Sequence, residues 1–224
     1  MMSLPAIENM IIYEDSSILV INKPAHLPVL PDGWETDAPY LLKLLQTKYP
    51  DVLVVHRLDK VTSGVMVFAL NGDAHRILNK QFELHSNKKI YHTICSGIPG
   101  WEQHTARHKL RVNVGHSHRT VVDNGKGKPC ETHFRVLQRF SGAGCALLEA
   151  TPATGRTHQI RVHAYALGYP LLGDALYSAP PTALINRPAL HAQSLSITHP
   201  AENLQMTFTA PYPEDFEQVL KNIS

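Results

Sequence analysis

The chain has 224 residues, 43% hydrophobic and 18% charged, with 21 Lys+Arg against 19 Asp+Glu and a formal net charge of +2. This is the composition of a folded globular protein with one core, or with one domain divided into two lobes by a cleft. It excludes a disordered chain, and it leaves the question of a nucleic-acid partner to the distribution of charge rather than its sum.

Residues 10–24, "MIIYEDSSILVINKP", alternate and then run apolar on either side of Asp15-Ser16-Ser17, which predicts a hairpin ended by Pro24. Residues 37–50, "DAPYLLKLLQTKYP", predict a helix with Asp37 as N-cap and a stop at Pro50. Residues 52–70, "VLVVHRLDKVTSGVMVFAL", place two apolar strands around a polar insert. Acid and base side by side in a core are costly unless they pair or do chemistry, so this insert is the first candidate site. A helix is expected over 72–86 and a strand over 88–97.

From Pro99 to Lys128 the pattern weakens and the charge turns positive. Arg107, Lys109, Arg111, Arg119, Lys126 and Lys128 face only Glu102 and Asp123 within that stretch. Strands follow at about 130–139 and 145–151. Residues 154–170, "TGRTHQIRVHAYALGYP", read as a helix with Thr157 as N-cap, apolar positions 160, 164 and 167, and a Gly168 C-cap. A second hairpin over 190–211 and a closing helix over 213–223 complete the chain. Helices interspersed with hairpins predict an α+β fold with a mixed, largely antiparallel sheet rather than a doubly wound one. No repeat or low-complexity tract is visible.

Cys95, Cys130 and Cys145 are scattered without a CxxC pair, which argues against a disulfide framework or a zinc ribbon and for a reducing cytoplasm. The start of the chain lacks the pattern of a signal peptide, and no apolar run approaches the roughly 20 residues that span a bilayer. Among the 14 histidines, His104/His108 and His116/His118 have suggestive spacings, but no HExxH or Cys/His pairing accompanies them. No metal site is expected.

The motif "HRLDKVTSG", His56 to Gly64, resembles the HRLD-x-x-TSG signature of the RluA-type RNA pseudouridine synthases at every fixed position. Further elements follow in that family's order: "NKPAHLPV", "KKIY", "GKGKPCET", "GRTHQIRVHAYALGYPLLGDALY" and "LHAQSLSITHP". The resemblance covers about residues 10–211. It departs at His26, where the family usually has glycine, so the conformation of that loop is an open point.

The resemblance implies a pseudouridine synthase fold with flanking helices and a central catalytic cleft, in a single catalytic domain over 1–224 without an S4 domain. It implies isomerisation of uridine in tRNA and/or rRNA, with no cofactor and no metal. Composition adds the expectation of a cytoplasmic protein with no membrane attachment, and a monomer is the simplest expectation. Asp59 is implied as the catalytic carboxylate, acting either on the sugar or by removing its C2′ proton. It must stay ionised in a cleft, and Arg161 is the expected cationic partner. Tyr91 is implied to stack on the displaced uracil and to take the C5 proton. Arg57 is implied to fill the space that the flipped nucleotide leaves.

His56, Thr62, Arg156 and His158, together with Lys109 and Arg111 in the basic segment, are the remaining candidates for RNA contact. Two other functions compete. A catalytically silent RNA-binding or RNA-folding protein could retain the fold, but the intact Asp59, Tyr91 and Arg161 speak against it. A glycosidase-like hydrolase generally needs two carboxylates, and the motifs hold one.

Overall fold

The computed structural model describes residues 6–31, 38–115 and 119–224, which leaves the expected cap Asp37 and the pair His116/His118 outside the described residues. The chain divides into two compact units, Met1–Lys89 with Ala192–Pro211, and Ile90–His191 with Tyr212–Ser224.

In the first unit, β1 (Ile11–Glu14) and β2 (Ile18–Lys23) form the expected hairpin. Its turn is organised by Asp15, whose Oδ1 accepts the backbone N–H groups of Ser17 and Ile18 at 2.7 and 2.9 Å. Short β3 (Leu53–Val54) and long β4 (Ser63–Ala69) flank the polar insert. All seven residues of β4 are buried, as befits a strand with neighbours on both sides. β2 pairs antiparallel with it, from Ile18 opposite Ala69 to Lys23 opposite Gly64. β10 (Leu190–Thr198) and β11 (Gln205–Thr209) form the second hairpin, and β10 lies next to β4.

Two helices complete this unit. α1 (Leu41–Gln46) starts later than the sequence suggests, after Tyr40 and without a side-chain cap. The carbonyls of Pro28 and Val29 do the capping instead, accepting the N–H groups of Leu41 and Leu42. α2 (Gly72–Glu83) is capped by Asn71, whose side chain accepts the Ala74 N–H.

The loop after β2 resolves the question raised by His26: the histidine is exposed and takes the left-handed conformation, φ 65°, which glycine adopts freely. A β-carbon there costs about 1 kcal/mol or more, while glycine loosens the unfolded chain. His26→Gly is therefore expected to raise stability by about 0.5 kcal/mol, read as a higher urea midpoint at unchanged m-value. A lower midpoint would mean that the imidazole's own contacts outweigh the strain.

The second unit is an antiparallel sheet in the order β5 (Lys88–Ser96), β9 (Cys145–Pro152), β8 (Lys128–Phe140), β6 (Gln103–Val114), β7 (Arg119–Val122). The weakly patterned basic stretch is thus a twelve-residue strand and a return strand. On β6 only Ala106 and Leu110 are buried, so the usual period of two is blurred.

α3 (Gln159–Ala166) packs over one face, where Ile160 and Ala164 join Cys95, Phe134 and Leu148 in one core. α4 (Glu214–Ile223) packs with Ile94, Leu147 and Leu172 in a second core. The N-cap of α3 is His158, in the left-handed region at φ 55°, and not Thr157. The Thr157 carbonyl is occupied elsewhere, accepting the Thr120 hydroxyl at 2.7 Å. Gly168 ends the helix at φ 86°; its N–H bonds to Tyr165 O and that of Tyr169 to Ala164 O, a Schellman ending.

Candidate active site

Within the polar insert the side chains divide by burial. Leu58 and Thr62 are buried, Asp59 is half-buried and Arg57 is exposed. The Thr62 N–H donates to the Asp59 carbonyl at 3.0 Å and closes a tight turn over 59–62. Leu58 and Thr62 thus hold the turn from below while Asp59 and Arg57 lie on its outer side. Thr62 Oγ1 is buried and has no hydrogen-bond partner among the described residues, so this turn keeps one polar group in reserve.

Gly64 joins the turn to β4 at φ 119°, and a β-carbon there would stand 2.2 Å from the Ala192 carbonyl oxygen. Only glycine allows β10 that close. The sequence element that ends in "TSG" is therefore a packing requirement as well as a signature.

His56 has a defined structural task. Its Nε2 accepts the Val67 N–H at 3.1 Å, so the proton of the neutral ring is on Nδ1. The ring stacks on Phe82 with centroids 4.4 Å apart and planes 13° apart. Burial, with the Lys89 ammonium adding to it, pushes its pKa down to about 3. A ring that is neutral at physiological pH carries no charge toward phosphate; what it does here is tie the insert to β4 and α2.

In the second unit, Arg161 enters from the first turn of α3. Its Nε and Nη2 donate to Asp174 Oδ2 and Oδ1, each at 2.7 Å, and the two side chains are only 5% and 1% exposed. The guanidinium carbon lies 5.1 Å from the centre of the buried Tyr177 ring. Tyr177 is itself locked, its hydroxyl donating to Thr120 O and accepting from Thr120 N, both at 3.0 Å. Within its own unit Arg161 is met by Asp174, thirteen residues away in sequence.

The segment before α3 is pinned by the buried Gln159. Its amide donates to Glu131 O and Thr132 Oγ1, and its Oε1 accepts from Thr154 Oγ1 and the Arg156 N–H. This orders the Arg156–His158 stretch and leaves the Arg156 side chain exposed. His158 Nδ1 lies 3.2 Å from the Tyr177 hydroxyl. Gln159, Asp174 and Tyr177 all fall inside sequence elements already singled out, yet their roles rest on contacts that no spacing shows.

Tyr91 stands on β5 opposite Ala150 and packs, partly buried, on the core that α3 covers. Its neighbour His92 faces the other way, Nδ1 2.5 Å from the Tyr212 hydroxyl. The basic segment is less uniform than its sequence suggests. Arg107 pairs with Glu131 at 2.8 Å and Arg111 with Asp123 at 3.0 Å, while exposed Lys109 lies 3.5 Å from Asn124 O. Glu131 comes from the next strand, which is why a count of acids within 99–128 misses it.

His163, wholly buried on α3, has Nδ1 2.9 Å from Thr132 Oγ1, and its ring lies 5.3 Å from that of His108. Burial, with a smaller effect from His108, pushes its pKa down to about 4 from 6.5. Below pH 6.5 the unfolded chain takes up a proton that the folded chain refuses. The stability contributed by a neutral His163 is therefore complete above pH 6.5 and lost as the pH falls toward 4, with a slope of up to about 1.4 kcal/mol per pH unit. His56 acts in the same direction. Urea midpoints should drop between pH 7.5 and pH 4.5, and less so in His163→Gln; equal drops would remove His163 as a cause.

Residues 17–166 match the family model described as RNA pseudouridylate synthase. The chain is 39% identical over 202 residues to the dual-specificity RNA pseudouridine synthase RluA of Escherichia coli O157:H7, covering 90% of this chain and 92% of that one. It is 40% identical over 229 residues to the ribosomal large subunit pseudouridine synthase D of Pseudomonas aeruginosa, covering 94% of this chain and 70% of the other. The solved structure of human RNA pseudouridylate synthase domain containing 4 superposes with a TM-score of 0.80 at 25% identity, over 97% of this chain and 94% of that one. Among the described residues no helix is long and apolar enough to cross a membrane. With an Asp59 turn built on buried anchors and a family match over most of its length, the chain belongs to the RNA pseudouridylate synthases, enzymes that isomerise uridine in RNA.

Proposed function

We propose that this enzyme converts uridines of tRNA and large-subunit rRNA to pseudouridine, with Asp59 as the catalytic carboxylate. The observation that carries the assignment is the architecture of the 59–62 turn: buried Leu58 and Thr62 fix it, and Asp59 and Arg57 are left on its working side. The relatives' names supply the substrate class, one being called an RNA pseudouridine synthase of dual specificity and the other one of the ribosomal large subunit.

The reaction breaks the N1–C1′ bond, turns the uracil and joins C5 to C1′; the proton lost from C5 is matched by one gained at N1. Asp59 assists departure of the base, by attack on the sugar or by taking the C2′ proton. Tyr91 lies against the displaced uracil and receives the C5 proton. Arg161, fixed by Asp174 and Tyr177, supplies an immobile positive charge. Arg57 occupies the vacated stack. Arg156 and His158 line the approach of the RNA backbone, and Lys109 and Arg111 meet phosphates on the β6–β7 arm; Thr62 and His56 support the insert from behind.

Mapping pseudouridine across total RNA from cells with and without the gene tests this reading. Loss of signal at discrete tRNA or large-subunit positions is the expected result. Maps that do not differ would overturn it.

A further inference from the structure

Lys23, the last residue of β2, is 0% exposed. Its ammonium donates to the carbonyls of Pro24 and Leu27, each at 2.8 Å, and reaches that of Lys60 at 3.4 Å. Burying a cation costs several kcal/mol unless its donors are met, and these carbonyls accept from the ammonium. An apolar residue would fill the same space at less cost, so the charge calls for an explanation beyond packing.

The three carbonyls belong to two loops. Pro24 and Leu27 bracket the turn that holds His26 in its left-handed conformation. Lys60 directly follows Asp59 and lies within the 59–62 turn. The strand register fixes this meeting: Lys23 sits opposite Gly64, the residue that closes the "TSG" end of the same insert. A single buried ammonium thus joins the end of β2, the His26 loop and the backbone beside Asp59.

We propose that Lys23 is a positioning residue for Asp59: it holds the 59–62 turn through the Lys60 carbonyl and sets a fixed positive charge beneath a carboxylate that has to work ionised. This rests on the assignment of the chemistry to Asp59. Neutral replacements should leave RNA binding intact and damage the chemical step, because Lys23 itself lies under the turn and not on its outer side.

The test compares Lys23→Met, which removes donors and charge, with Lys23→Gln, which keeps an amide donor and loses the charge. Each is assayed beside the unmodified enzyme and Asp59→Asn by tritium release from an RNA transcript labelled at uridine C5. RNA affinity equal to that of the unmodified enzyme certifies a folded variant, and Lys23→Gln stands in if Lys23→Met does not fold. The expected result is a kcat lowered 10- to 100-fold, a Kd for RNA within about threefold, and an acidic limb of the pH profile displaced to higher pH. An unchanged kcat, a loss of rate matched by a loss of RNA affinity, or an acidic limb that stays in place in Lys23→Gln would each overturn the proposal. An unmodified enzyme without tritium release on any RNA would instead sink the functional assignment on which the proposal stands.

Discussion

Replacing Asp59 by asparagine is expected to abolish pseudouridine formation, by about 10⁴-fold or more, while changing RNA affinity only a few-fold. The substitution keeps the shape of the side chain and removes its charge and basicity. The Thr62 N–H that closes the turn bonds to the backbone carbonyl of residue 59, and Leu58 and Thr62, which flank it, are buried. The RNA contacts proposed for Arg57, Lys109 and Arg111 are not altered by the substitution, so binding and chemistry are expected to separate. Tritium release with a matched filter-binding titration provides the check, and Asp59→Ala guards against slow conversion of asparagine back to aspartate. Activity above about one per cent of normal in both variants would take the chemistry away from this residue.

The fold was readable where burial follows a regular period, and the proposed site could be read where its motif is local in sequence. The hairpin around Asp15 and the buried strand after the polar insert carry their own signals, alternation and turn residues, and both form as expected. β6 does not, because only Ala106 and Leu110 on it are buried, and a period of four on a strand looks like no pattern at all. Caps were misplaced for a related reason. Thr157 is a good capping residue by type, but the local backbone puts left-handed His158 at that position; α1 is capped by carbonyls of a preceding loop, which leave no trace in residue identity. Asp59 could be proposed from its motif. That His56 is a neutral strut, that Lys23 clamps three carbonyls and that Asp174 holds Arg161 could not, since spacing reports which face a residue shares and never which atom it meets.

The Arg161–Asp174 pair is where the largest loss of stability is expected. Removing one partner of a buried, two-point ion pair leaves the other charge uncompensated and costs about 3–5 kcal/mol. Asp174→Ala should therefore lower stability by an amount of that order, and Arg161→Met by a similar amount, since Asp174 is just as deeply buried. Their effects should not add: the double variant removes both charges together, and a coupling of 2 kcal/mol or more should appear in the cycle. Additive losses would mean that Asp174 is not the main partner of the guanidinium. Activity separates the two single variants in a way that stability does not. Arg161→Lys keeps a positive charge but loses the planar fork that meets both oxygens of Asp174 and lies against Tyr177. If the second unit uses Arg161 as a fixed charge in catalysis, Arg161→Lys should lose most of its kcat at a temperature where it is still folded. A folded Arg161→Lys with normal kcat would confine Arg161 to holding α3 against the Asp174 loop.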